Sequence, residues 1–177
     1  TRKPELSQRT IQVRAGVCRL VIAYQGTRYC GWQMQDNGLS IQAVLEEAFQ
    51  RMTGQNARAN AAGRTDAGVH AIGQVVTINN SSHHDPETLR KGLNALLPED
   101  IAVVSIEPAV PGFRPRRDVR GKHYRYSIYN DLVRPVFQRD FRWHLRKRLD
   151  VRAMQQASEC LLGMHDLLGS RGGVLLR

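Results

Sequence analysis

The sequence predicts an α/β or α+β fold, in which helices pack on a β-sheet. Strand-like apolar runs alternate with helical apolar stripes between residues 17 and 106. Each predicted helix follows a capping residue, and glycine or proline separates the elements. The 177 residues are enough for one well-packed domain or two small ones.

The first predicted elements are a strand, a loop and a helix. Residues 17–23 form an apolar run interrupted by Arg19, as expected of a strand. Residues 24–33, termed the aromatic loop, are rich in glycine and aromatic side chains, which predicts a loop with exposed rings. Ser40 is a predicted N-cap, and Gly54 ends the helix. The apolar stripe between them comprises Ile41, Val44, Leu45, Ala48, Phe49 and Met52.

The same pattern then recurs further along the chain. Residues 74–78 predict a second strand. Asp85 is a predicted N-cap, and Pro86 suits the first helical position. Pro98 ends this helix, and residues 101–106 predict a third strand. The stripe of the second helix comprises Leu89, Leu93, Leu96 and Leu97.

The composition becomes strongly basic after Pro108 and Pro111. Residues 123–129 alternate, which predicts a strand with one basic, solvated face. Its apolar face would carry Tyr124, Tyr126 and Ile128. The cations of this region are Arg114, Arg116, Arg117, Arg120, Lys122 and Arg125.

A mixed basic and aromatic stretch at 139–148 precedes a last predicted helix. Asp150 is its N-cap and Gly163 its predicted C-cap, with Met154, Ala157 and Leu161 as the stripe. The chain therefore divides into three predicted parts. These are a basic N-terminal arm at 1–15, a half-domain at 16–107 and a partial second half-domain at 108–177.

Charge and cysteine content indicate the class of partner and compartment. The formal net charge of +10 favours a polyanionic partner, most simply nucleic acid. No run is long enough to span a membrane, so no membrane partner is expected. Cys18 and Cys160 lie in apolar runs, which predicts buried free thiols. This usage favours a reducing, intracellular compartment, either the cytoplasm or an organelle matrix.

The residues most suggestive of chemistry lie at 62–71, termed the Arg–Asp loop. Asp66 is the candidate catalytic residue, because a carboxylate serves as nucleophile or general base. Arg64 would keep it ionised and could hold a phosphate. The alternative is a turn capped by Asp66 and neutralised by Arg64. His70 suits proton transfer or a phosphate contact, and equally a hydrogen bond to the backbone.

The basic region after Pro111 suits RNA. Arg114, Arg116 and Lys122 could bind phosphates, and Tyr124 could stack on an unpaired base. Tyr126 is predicted to be a core residue. Trp32 fits a nucleic-acid contact and a core anchor equally. The sequence has no phosphate-binding glycine loop, zinc-ligand spacing or dinucleotide fingerprint, so neither metal nor cofactor is predicted.

Several segments together resemble the TruA-type tRNA pseudouridine synthases. The matching strings are Tyr24-Gln25-Gly26-Thr27 with Tyr29-Cys30-Gly31-Trp32-Gln33, Gly63-Arg64-Thr65-Asp66-Ala67-Gly68-Val69-His70-Ala71, Asn94-Ala95-Leu96-Leu97-Pro98-Glu99-Asp100-Ile101, Lys122-His123-Tyr124-Arg125-Tyr126 and, more weakly, Leu161-Leu162-Gly163-Met164-His165-Asp166. The resemblance extends from about residue 16 to 167, and the second string is the most specific.

The resemblance implies a pseudouridine synthase-like mixed, largely antiparallel sheet flanked by helices. It also implies an isomerase that converts uridine to pseudouridine in RNA without cofactor or metal, with the tRNA anticodon arm as the usual target and a homodimer as the usual assembly. Asp66 would attack the uridine, at the sugar or at the base. Arg64 would fill the space left by the flipped uridine or pair with Asp66. Tyr124 would stack on the base and assist proton removal, and Arg116 would contact phosphate.

The chain departs from the family pattern in two respects. Arg117 replaces a usual phenylalanine, and Pro115 replaces a small residue. In addition, the second half of a family member continues well beyond the position of Arg177, so the C-terminal half is expected to be truncated. The alternative function is therefore a catalytically degenerate relative, which would bind RNA as a component of a ribonucleoprotein assembly.

Overall fold

A computed structural model describes residues 16–36 and 38–164 of the chain. They form two compact units, divided between Lys122 and His123. The strands are β1 Gly16–Tyr24, β2 Asn60–Ala61, β3 Ala71–Asn80, β4 Ile101–Pro108, β5 Ile128–Asn130 and β6 Trp143–Leu145, and the helices are α1 Ile41–Thr53, α2 Pro86–Leu96 and α3 Val151–Glu159. No helix in the described residues is long and apolar enough to cross a membrane.

The first unit contains a four-stranded, wholly antiparallel sheet in the order β2-β3-β1-β4. The central strand places Leu20 opposite Val76 on one side and Ile106 on the other. Alternate residues of β1 are buried, which sets the face on which the helices pack. The predicted mixed α and β fold, with a largely antiparallel sheet and flanking helices, is therefore confirmed.

The hydrophobic core lies between this sheet and the first two helices. Leu20 and Ile22 of β1 are completely buried, as are Leu45 of α1 and Leu93 of α2. Trp32 of the aromatic loop is buried in the same cluster, so it is a core anchor. The two tyrosines of this loop are buried with it, so the prediction of exposed rings is wrong. Burying such side chains contributes about 1.5–3 kcal/mol each relative to exposure.

The helix boundaries follow the predicted capping residues. The Ser40 hydroxyl accepts a hydrogen bond from the Ala43 amide, and Gly54 adopts a left-handed φ of 73° after α1. The Asp85 carboxylate accepts from two amides at the start of α2, where Pro86 occupies the first turn. These caps satisfy backbone groups that a helix leaves unpaired at its ends.

Two features of the first sheet were not predicted. β3 begins at Ala71, so the strand starts directly from the Arg–Asp loop instead of at Gln74. β2 is only two residues long and pairs Ala61 with Val76. Two residues carry no period-2 pattern, so nothing in the local sequence identifies such a strand.

The second unit differs from its predicted structure. Of the strand predicted at 123–129, only residues 128 and 129 are in a strand. They belong to β5, which continues to Asn130 and pairs in parallel with β6. Tyr126 is 86% exposed, so the prediction of a core residue is wrong. A segment becomes a strand only where a neighbouring strand shares its backbone hydrogen bonds, and no described strand pairs with residues 123–126.

The prediction for the last helix is correct at the N-terminal end, but the helix ends earlier than predicted. Asp150 caps α3 by accepting from the Ala153 amide. The helix ends at Glu159, and Cys160 occupies the C-cap position instead of Gly163. Cys18 is buried as predicted, whereas the Cys160 thiol is exposed, contrary to prediction. His165 and Asp166 of the fifth signature lie outside the described residues, as does the predicted arm at 1–15.

Candidate functional site

The Arg–Asp loop connects β2 to β3 and is tied to β3 at its start. The Ala62 amide donates to the Val75 carbonyl over 2.8 Å. The Gln74 side-chain amide donates to the Gly63 carbonyl over 2.6 Å. The loop therefore begins in a fixed register against a central strand, which limits how far its tip can move.

The aromatic loop holds the middle of the Arg–Asp loop through backbone hydrogen bonds. The Trp32 amide donates to the Thr65 carbonyl over 3.0 Å, and the Gly68 amide donates to the Tyr29 carbonyl over 3.2 Å. The Tyr24 hydroxyl shares a 2.9 Å hydrogen bond with Thr65 Oγ1. These bonds hold the chain on either side of Asp66.

Two glycines make this close approach possible. A Cβ on Gly26 would lie 2.0 Å from the Val69 carbonyl oxygen, far inside contact distance. A Cβ on Gly31 would lie 2.4 Å from the Thr65 carbonyl oxygen, and Gly31 has a left-handed φ of 98°. The glycines of the aromatic loop are therefore required by backbone packing against the Arg–Asp loop.

Asp66 and Arg64 both have exposed side chains at the tip of this held loop. The expected pairing between them is not found, since the ion pairs among the described residues include neither side chain. The Asp66 carboxylate is consequently accessible to an incoming molecule.

His70 is engaged by the backbone of the aromatic loop. Its Nδ1 accepts a 3.1 Å hydrogen bond from the Gly26 amide. An accepting Nδ1 carries no proton, so in this arrangement the ring proton is on Nε2. This is the backbone-bonded role considered for His70 from the sequence.

A groove of about 580 Å³, termed the arginine groove, lies beside the Arg–Asp loop. It includes the predicted residues Arg64, Arg114 and Arg116, and the unpredicted Arg58 and Arg117. The described residues that line it include no carboxylate, so their charge is wholly positive. They are Val17, Trp32, Gln33, Gln42, Arg58, Ala59, Asn60, Ala61, Arg64, Thr77, Asn79, Phe113, Arg114, Pro115, Arg116 and Arg117.

Lys122 lies over the start of the Arg–Asp loop. A Cβ on Gly63 would lie 2.9 Å from Lys122 Nζ, which places this ammonium group against the loop backbone. The first unit thus brings Arg64 and Arg116 to one groove and Lys122 to the start of the loop that carries Asp66, whereas Asp66 itself does not line the groove. Arg58 is separated from Arg64 by the small residues at 59–63, which carry no signal of a site, so only the fold reveals its position.

Tyr124 belongs to the second unit and has a 55% exposed side chain. It lies in an extended segment outside any strand, so its phenol ring is available for stacking. Within the described part of the chain, no group of three or more histidine, cysteine, aspartate or glutamate side chains is arranged to hold a metal ion.

The part of the chain that carries both loops is similar to known proteins. A family model described as tRNA pseudouridine synthase matches residues 20–116, which include both loops. The tRNA pseudouridine synthase A of Pelobacter propionicus is 47% identical over 153 residues, covering 86% of this chain. The proteins of the same name from Geotalea daltonii and Myxococcus xanthus are 44% and 46% identical over the same length. The chain spans 63%, 63% and 58% of these three curated relatives.

Proposed function

Because this chain belongs to the tRNA pseudouridine synthase family, we propose that it isomerises uridine to pseudouridine in tRNA, with Asp66 as the catalytic carboxylate. The observation that carries the proposal is the exposed Asp66 carboxylate, which joins no ion pair of the described residues and lies on a loop held from both sides. The family's tRNA substrate fits a site bordered by arginines. The proposed target is a uridine of the anticodon arm.

The reaction exchanges one bond of the ribose C1′ for another. The N1–C1′ bond of uridine breaks, the C5–C1′ bond forms, N1 gains a proton and C5 loses one. A carboxylate can assist by attacking the sugar or the base as a nucleophile, and it departs when the new bond forms. Asp66 suits this role because its carboxylate is accessible and its backbone is fixed.

The arginine groove supplies the expected RNA contacts. A target base inside a helix must leave the stack, which requires a few kcal/mol. Contacts between phosphates and Arg58, Arg114 or Arg116 would offset that energy. Arg64, at the junction of groove and loop, would fill the vacated position of the uridine. Tyr124 is proposed to stack on the extruded base and to assist removal of the C5 proton.

The test is the Asp66→Asn variant of the full-length protein. We expect the single-turnover rate of pseudouridine formation in tRNA to fall at least about a thousandfold. Binding should change little, because the amide has nearly the same shape. Release of tritium from C5-labelled uridine measures the rate, and filter binding measures the affinity.

An Asp36→Asn variant is the matched control, since it makes the same chemical change at an exposed residue outside both loops and outside the arginine groove. Equal rates for the Asp66→Asn variant and the parent would contradict the catalytic role. A parent protein that binds tRNA tightly without forming pseudouridine would instead support a purely RNA-binding function.

A further inference from the structure

Two of the sequence signatures have no role in the chemistry, yet they meet at Asp100. The Asp100 carboxylate accepts a 2.7 Å hydrogen bond from the Tyr29 hydroxyl. It also accepts from Arg28 Nε and Nη2, at 2.9 Å and 2.7 Å. Its backbone carbonyl accepts from the Gln25 amide over 2.9 Å. Asp100 therefore holds the short turn at residues 26–28 from both ends.

The same turn contacts the Arg–Asp loop on its other side. The Tyr29 carbonyl accepts from the Gly68 amide, and the Gly26 amide donates to His70. Tyr29 thus connects Asp100, through its hydroxyl, to the Arg–Asp loop, through its carbonyl. Gly68 is two residues from Asp66, so a shift of the turn is transmitted to the carboxylate over a short segment of backbone.

Burial makes this connection stiff. Tyr29 is only 4% exposed. The Asp100 side chain is 12% exposed, which shields its hydrogen bonds from water. Hydrogen bonds to an ionised carboxylate are about twice as strong as those between neutral groups. The connection rests on the part-buried hydrogen bond between Tyr29 and Asp100, and it is reinforced by two hydrogen bonds from Arg28, whose side chain is 70% exposed.

We propose that Arg28, Tyr29 and Asp100 are positioning residues, which set the position of the Asp66 carboxylate without touching the substrate. This inference rests on the proposed catalytic role of Asp66. A displacement of about 1 Å at a reacting group can reduce the rate by about a hundredfold. Loss of one hydrogen bond in the network should therefore slow the reaction step more than it weakens binding.

Tyr29→Phe is the most specific test of the network, because it removes a single hydroxyl group and keeps the backbone carbonyl that accepts from the Gly68 amide. Asp100→Asn is the second variant. Glu87→Gln is the matched control, since Glu87 also accepts from the Nε and Nη2 atoms of an arginine, Arg90, at 2.9 Å and 2.7 Å, but on the exposed surface of α2.

In the full-length protein, we expect the single-turnover rate to fall about tenfold in both network variants. The dissociation constant for tRNA should stay within about twofold of the parent value, and Glu87→Gln should behave as the parent. Unchanged rates in Tyr29→Phe and Asp100→Asn, alongside an inactive Asp66→Asn variant, would refute the positioning role alone.

A second measurement is independent of activity. Hydrogen exchange of the Gly68 and Val69 amides reports directly on the Arg–Asp loop. We expect exchange at these amides to accelerate about tenfold in Tyr29→Phe, while the amides of α2 keep the parent rates. Parent-like exchange at Gly68 and Val69 would overturn the inference even if the protein proved to be inactive.

Discussion

The two compact units use similar apolar side chains to very different effect. In the first unit, Phe49 is 1% exposed and Leu93 is fully buried. In the second, Phe137 is 85% exposed, and residues 123–164 contain no buried side chain. The difference shows that an apolar pattern specifies which face of an element can be buried, whereas burial itself requires an opposing surface.

Helices α1 and α3 illustrate this difference. Both begin with a capping side chain that accepts a backbone amide hydrogen bond, and both carry an apolar stripe. Helix α1 packs on a four-stranded sheet and buries Leu45 and Phe49. In its described residues, the second unit offers only the two short strands β5 and β6, and a two-stranded pair is too small to form a core.

The largest expected effect follows from truncating equivalent side chains in the two units. We expect Phe49→Ala to lower the free energy of unfolding by about 3–5 kcal/mol, because it opens a cavity in a packed core. Phe137→Ala should change it by less than about 0.5 kcal/mol. Urea denaturation of the 177-residue chain, followed by circular dichroism, gives both values. Equal losses of unfolding free energy in the two variants would contradict the inferred difference in packing between the two units.

A smaller effect tests whether the tight packing of the first unit extends to its functional loops. We expect Gly26→Ala to destabilise the protein by about 1–3 kcal/mol, since the added methyl group overlaps the Val69 carbonyl. Gly121→Ala is the control, because no atom of the described residues lies within 4 Å of the added Cβ. Fluorescence of the buried Trp32, in a Trp143→Phe background, follows this unit specifically. Parent-like stability of Gly26→Ala would mean that the two loops separate easily.

The smallest effect concerns acid stability and Asp100. Partial burial raises the pKa of this carboxyl, but hydrogen bonds from Tyr29 and Arg28 outweigh burial and hold the pKa below its ordinary value. A lowered pKa contributes stability above the unfolded pKa of about 4, and the contribution disappears as pH falls through the folded value. Asp100→Asn should therefore lose about 1 kcal/mol near pH 6, and this loss should shrink steadily as the pH falls below about 4. Urea denaturation across this range measures the difference, and a pH-independent loss would contradict the assignment.

Much of the first unit could be predicted from the sequence because its signals are local. Ser40, Gly54, Asp85 and Pro86 act on their own helix ends, so their roles follow from residue type and position. The string around Asp66 identified the family for a similar reason, since its residues are contiguous. Arg64 and Arg116 were also found, as members of conspicuous basic or charged segments.

The features that escaped prediction depend on distant partners. Arg58 enters the arginine groove only because β2 pairs with β3. The link between Tyr29 and Asp100 joins residues 71 positions apart. Tyr126 failed as a predicted core residue because alternation alone does not supply a neighbouring strand. Local sequence patterns therefore predict where helices and strands begin and end. They do not predict which helices and strands pack or pair with one another.

The position of β1 has a consequence for biosynthesis. It is the first strand that the structure describes, yet it lies inside its sheet between β3 and β4, and its Arg19 pairs with Glu107, which follows 88 positions later in the chain. During translation, one edge of β1 therefore stays unpaired until β4 has left the ribosome. Asp100 emerges immediately before β4, so the loop that carries Asp66 is synthesised well before the residue that anchors its support. The nascent chain acquires its candidate active site only when the entire first unit closes.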